Sequence, residues 1–201
     1  MSDNMTIGAR IQAVRTAIAE ACARRAHVPQ DAPVELIAVT KNHPVEAMQT
    51  AIDAGAANIG ENRVQEALDK AKNLEREVTW HLIGHLQTNK VKHAVRQFDL
   101  IHSVDSLRLA QEINKAAEKF DKVQNILIQV NLAREERKSG IYREDLDDLL
   151  AEIGRLPSIR LQGFMCIAPN YDDVEECRPL FRTMYEIFQQ VKAAEPRTAD
   201  I

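Results

Sequence analysis

Apolar and polar positions follow two alternating rhythms along the chain. Ile7, Ile11, Val14 and Ile18 recur at helical spacing and predict an opening amphipathic helix. After a polar loop, "HVPQDAP", the run "ELIAVT" is short, apolar and rich in β-branched residues, as in a buried strand. "PVEAMQTAIDAG" predicts a helix that opens at Pro44 and stops at Gly55. "ANIG" and "ENRVQEALDKAKNLE" predict a second strand and helix, and "TWHLIG" a third strand, with a helix near "TNKVKHAVRQ".

"LIHSV" reads as the fourth strand. Ser106 caps the next helix, "LRLAQEINKAAEKF", whose buried stripe is Leu107, Ala110, Ile113, Ala117 and Phe120. "VQNILIQVNL" is the clearest strand pattern, followed by a helix over "REDLDDLLAEIGRL" and a sixth strand over "IRLQGFMCIA". The last helix is predicted from about Pro179, with Phe181, Met184, Tyr185, Phe188 and Val191 on one side.

Repeated βα units with short connections point to a parallel sheet covered by helices. A (β/α)8 TIM-type barrel and an open doubly wound sheet both satisfy that rhythm. Short strands, with no GxGxxG or P-loop motif, favour the barrel. "EPRTADI" reads as the approach to a seventh strand, whereas a barrel takes eight strands in about 250 residues. The expectation is one domain over residues 1–201, an incomplete barrel of six strands and the start of a seventh.

Composition narrows the function classes. The chain has 201 residues, 45% hydrophobic and 28% charged, enough for one core. Lys+Arg total 26 against 30 Asp+Glu, a net charge of -4. That balance gives no general attraction to nucleic acid or to an anionic membrane. No stretch reaches the length of a signal peptide or a membrane span. Cys22, Cys166 and Cys177 lack CxxC spacing and read as reduced thiols of a cytoplasmic protein. His81, His85, His93 and His102 give no metal-ligand spacing.

In parallel α/β folds chemistry gathers at the C-terminal strand ends. Those positions here are Lys41, Glu61 and Asn62, His81, Ser103 and Asp105, Asn131, and Met165. Glu61 reads as an acid serving a helix N-terminus. Lys41 ends the first strand. It is either a solvated charge or a nucleophile that, once it has lost a proton, forms an imine with an aldehyde. The residues alone leave both open.

The strings "LIAVTKNHP", "IGENRVQEA", "WHLIGHLQTNK", "IHSVDS", "QVNLAREERKSG" and "LQGFMCIAP" occur in this order, from Glu35 to Pro169. Together they resemble the YggS/PROSC family of pyridoxal 5'-phosphate (PLP) homeostasis proteins. The resemblance implies a barrel like the N-terminal domain of alanine racemase, with Lys41 holding PLP as a lysine aldimine. It places Asn62 in the cofactor pocket, and His81 and Met165 facing or flanking the ring. Asn131, Lys138 and Gly140 match a mouth loop, with Lys138 near the site.

The resemblance assigns no catalytic residue and no metal. It implies a carrier of PLP, with apo forms of PLP-dependent enzymes as recipients, and a monomer at full length. The family continues with a Ser-Met-Gly-Met-Ser and a Val-Arg-Ile-Gly-Thr segment that resemble a phosphate-binding apparatus. This sequence stops before both, which predicts weakened cofactor binding. The alternatives are a racemase-type PLP enzyme, an imine-forming aldolase that uses Lys41 without PLP, and an inactive fragment.

Overall fold

The computed structural model describes residues 5–26, 33–135 and 137–194. Among these, six strands form one sheet: β1 (Ile37–Val39), β2 (Asn58–Glu61), β3 (Thr79–Leu82), β4 (Leu100–Val104), β5 (Gln124–Gln129) and β6 (Ile159–Met165). Every neighbouring pair is parallel and the strands lie in sequence order. A doubly wound sheet would reverse that order at a switch point. The order is therefore that of a barrel wound in one direction. The approach to a seventh strand, at 195–201, lies outside the described residues, as does most of the polar loop at 27–33.

The helices are α1 (Ile7–Arg24), α2 (Val45–Asp53), α3 (Val64–Ala71), α4 (Val91–Gln97), α5 (Leu107–Lys119), α6 (Leu146–Ile153) and α7 (Cys177–Ala194). The Ser106 cap is in place, its Oγ accepting from the Leu109 N–H at 3.4 Å. Most elements are shorter than the pattern suggests, and two bounds fall in a different place. Glu61 belongs to β2 rather than to the next helix, because its carbonyl accepts from the Ile83 N–H at 2.9 Å and extends the ladder. The last helix starts at Cys177, after a 3-10 turn. At the edge of the sheet it buries only Ile187 and Val191 fully, and Phe181 is exposed.

Strand alternation gives the sheet two unlike faces. On the helix side, Ile59, Leu82, Ile101, Ile126 and Ile128 are fully buried. They pack with Met48 of α2, Ala67 of α3, Ala94 and Val95 of α4, and Ala110 and Ile113 of α5. Trp80 belongs to this side and meets Phe98 edge-on, ring centroids 6.4 Å apart. The other face carries Val39, Gly60 and His81 in register across three strands. Val39 on that face is 47% exposed. Among the described residues, the outer edges of β1 and β6 pair with no strand.

α1 joins this core loosely. None of its residues is fully buried, and Ile7 and Val14 of the expected stripe are exposed. One polar tie to the turn after α2 is Arg15 Nη2, which donates to Gly55 O at 2.6 Å.

The core makes a direct prediction. Phe98 is fully buried, so Phe98→Ala should lower the unfolding free energy by about 3–5 kcal/mol in urea titrations. A loss below about 1 kcal/mol would show that the Trp80–Phe98 contact is not part of the core.

Candidate functional site

The C-terminal strand ends form the mouth of the barrel. Lys41 follows β1 at once and is exposed. Among the described residues its side chain takes no hydrogen-bond or ion-pair partner. Alternation from Ile37 and Val39 puts Lys41 on the inward side, whereas Thr40 points outward. The chain then turns sharply, with Asn42 in the left-handed region at φ 61. Asparagine tolerates that conformation better than most residues.

Beneath this turn, on the outward side, lies a buried charge cluster. Lys70 of α3 is 8% exposed and Glu61 of β2 is 0% exposed. Lys70 Nζ donates to Glu61 Oε1 at 2.7 Å, Glu66 Oε1 at 2.7 Å and the Thr40 carbonyl at 2.8 Å. Thr40 Oγ1 donates to Glu61 Oε1 at 2.6 Å. The Asn42 N–H donates to Glu66 Oε1 at 2.6 Å. Partial burial works to raise the Glu66 carboxyl, but bonds from Lys70 and the Asn42 N–H outweigh it and hold it low. Glu61 thus ties elements together rather than serving a helix N-terminus.

Asn62 follows β2 on the inward side, and no side-chain partner of it is found among the described residues. Its backbone lies tight against Gly84. A Cβ there would come within 2.7 Å of Asn62 Cα, so only glycine fits at that point. Met165 ends β6 opposite Gln129 in register, on the inward side. Sequence and fold therefore bring Lys41, Asn62 and Met165 to one face and one end of the sheet.

His81 also faces inward, one step deeper, opposite Val39 in the register that runs through Gly60. Both of its ring nitrogens are engaged. Nε2 lies 3.0 Å from Asn58 Oδ1, and Nδ1 lies 2.9 Å from His102 Nε2. Asn58 Oδ1 only accepts, so His81 Nε2 carries the proton and Nδ1 accepts from His102. Both rings are then neutral. Burial lowers both pKa values, that of His102 to about 4, with the neighbouring His81 ring contributing there. The pairing of His81 with His102 was not legible from spacing, because 21 residues separate them.

The loop after β5 folds around Asn131. Its Nδ2 donates to the carbonyls of Glu135 and Lys138, and its Oδ1 accepts from the Glu135 N–H. Gly140, at φ 127, lies so close that a Cβ would sit 2.8 Å from Asn131 N. Lys138 Nζ is held by Glu135 Oε1 at 2.6 Å and by the Ala168 carbonyl at 3.3 Å. The loop is therefore fastened across the exit of β6, at the mouth. Cys166, next to Met165, is half-buried, and burial pushes its thiol up into the protonated form.

A barrel wound in sequence order, with an inward lysine at the end of its first strand, defines a protein class: the barrel of alanine racemase N-terminal type. The chain matches the family described as "Alanine racemase, N-terminal domain" over residues 15–200. It is 38% identical over 184 residues to the pyridoxal phosphate homeostasis protein of Aquifex aeolicus, covering 91% of this chain and 80% of that protein. It superposes on PipY of Synechococcus elongatus with PLP bound at a TM-score of 0.81 and 34% identity. That match covers 96% of this chain and 84% of PipY. An alanine racemase of Clostridium difficile 630 shares the fold, with a TM-score of 0.67 at 16% identity, over 80% of this chain and 43% of the racemase. The chain belongs to the pyridoxal phosphate homeostasis protein family.

The paired histidines predict a pH dependence. Their folded-state pKa values lie below 6.5, so the unfolded chain binds more protons as pH falls through that value. Stability is complete above pH 6.5 and is lost as pH falls toward 4. From pH 7.5 to pH 5, His102 alone should cost about 2 kcal/mol in urea unfolding. A flat profile over that range would contradict the neutral, buried pair.

Proposed function

We propose that the protein holds PLP at the C-terminal mouth of the barrel with Lys41 as its anchor, and passes the cofactor on. The observation that carries this reading is the exposed amine of Lys41 at the end of β1, on the inward side, with no partner among the described residues. When bound, PLP supplies an aldehyde that condenses with a primary amine. Asn62 offers beside that amine a carboxamide that no described residue engages, and Met165 offers an apolar, adaptable wall. His81, with both nitrogens committed, serves as a rigid floor under the pocket rather than as a direct ligand. These residue types fit the cofactor, and a relative of 34% identity binds it.

Holding, rather than catalysis, is supported by how neighbouring titratable groups are spent. A racemase-type reaction needs a proton donor and an acceptor on opposite faces of a bound amino acid. His81 and His102 are tied to each other, and Lys138 is tied to Glu135. An open mouth then suits loading and release, with apo forms of PLP-dependent enzymes as recipients. The names of the relatives, homeostasis proteins for the same cofactor, support this reading.

The test is a PLP titration of wild type and Lys41→Ala, followed by borohydride reduction and peptide mass spectrometry. Wild type should develop a long-wavelength absorption band and carry the reduced adduct on Lys41. The variant should show neither. An unchanged band in the variant, or an adduct spread over surface lysines, would overturn the anchor. For transfer, loaded protein mixed with an apo-enzyme should reactivate it faster than cofactor is released into buffer. Equal rates would remove the delivery role.

A further inference from the structure

Lys41 is gripped through its neighbours, not through its own side chain. The peptide before it presents the Thr40 carbonyl, which accepts from Lys70 Nζ at 2.8 Å. The peptide after it presents the Asn42 N–H, which donates to Glu66 Oε1 at 2.6 Å. These two grips are themselves joined, since Lys70 Nζ and Glu66 Oε1 lie 2.7 Å apart. Glu61 closes the cluster from β2 by accepting from both Thr40 Oγ1 and Lys70. One ammonium and two carboxylates therefore fix the planes of both peptide units that flank the anchor lysine. With both planes set, the direction in which the Lys41 side chain leaves the backbone is set as well.

Stability alone does not account for this cluster. A buried ion pair costs desolvation that apolar packing would avoid. Glu61 Oε1 takes two donors, while its buried Oε2 has no partner among the described residues. That asymmetry costs stability and favours position over strength. Asn42 also holds a left-handed conformation at the point where Glu66 takes its N–H. Strain of that kind persists where the surroundings over-determine it.

We propose that Glu66 and Lys70, braced by Glu61, are positioning residues that aim the Lys41 amine at the aldehyde of the cofactor. This inference rests on the reading that Lys41 is the anchor. The cluster lies on the outward side of the strand end and the amine on the inward side, so the effect passes through the backbone. Loss of the grip frees the turn and spreads the amine over many directions. Misplacing a reacting group by about 1 Å can cost about a hundredfold in rate.

The test compares Glu66→Ala, Glu66→Gln and Lys70→Met with wild type, and with Lys122→Met as a control. Lys122 Nζ bonds the Val95 and Phe98 carbonyls, at the other end of the strands. Its loss destabilises the fold without touching the mouth. The readouts are the rate of PLP capture on Lys41 by reductive trapping, amide exchange at Asn42 in cofactor-free protein, and Tm. Glu66→Ala and Lys70→Met should slow capture by about tenfold to a hundredfold. In Glu66→Ala the Asn42 amide should also exchange faster. Glu66→Gln keeps an acceptor oxygen and should restore most of the rate. Lys122→Met should lower Tm and leave capture on Lys41 unchanged.

Folded Glu66→Ala and Lys70→Met proteins that capture PLP at the wild-type rate would overturn the proposal. So would an equal slowing in Lys122→Met, which would reduce the cluster to a stability effect. Failure of the anchor reading shows separately, as capture that survives Lys41→Ala.

Discussion

A single ammonium, Lys70 Nζ, is shared by two carboxylates and a main-chain carbonyl at the point where β1 turns into α2. It links two consecutive βα units: the end of β1 through Thr40, the end of β2 through Glu61, and the first turn of α3 through Glu66. Removing one partner from such a group leaves a buried charge and costs roughly 3–5 kcal/mol. The mouth of the barrel is therefore held by directional polar contacts, while the body of the sheet is held by apolar packing. That division of labour suits a site whose backbone must be exact and whose side chain must stay free.

The two faces of the sheet carry the two tasks. The helix-facing side is filled by isoleucine and leucine that no solvent reaches, and it makes the parallel strands stable as a layer. The inward side is polar and graded. Asn58, His81 and His102 form a neutral hydrogen-bonded chain in its depth, and Lys41, Asn62 and Met165 follow at its rim. A satisfied polar floor resists protonation near neutral pH, and the exposed Lys41 amine stands above it at the rim. Across the rim, the Asn131 loop is fastened over the end of β6 by Lys138, Glu135 and Gly140. The family to which the chain belongs fits this division, since its named members serve PLP homeostasis.

Much of this was legible from residue order. β4 and α5 fall where "LIHSV" and the Ser106 cap predicted them, because each carries an unambiguous period and a clear start signal. Lys41 was legible as a residue at a strand end. The charge cluster was not. Glu66 and Lys70 are spaced for an ordinary helical ion pair, and nothing in "VQEALDK" says that the pair faces a neighbouring strand end. Glu61 looked like a helix-start acid because the strand boundary cannot be fixed without the ladder bond to Ile83. His81 and His102 meet only through the register of β3 and β4, a long-range fact that local spacing does not encode. The apolar spacing of α1 was legible as a helix, whereas its loose seat on the core, with no residue fully buried, was not.

The proposed function puts the cofactor on the inward side of the strand end, within reach of the amine that follows Thr40. A crystal structure of the PLP-loaded, borohydride-reduced protein examines it most directly. Continuous density should run from Lys41 Nζ to a pyridine ring lying between Asn62 and Met165, above the His81 ring. A ring on the helix-facing side of the sheet, or density joined to any other lysine, would contradict the account.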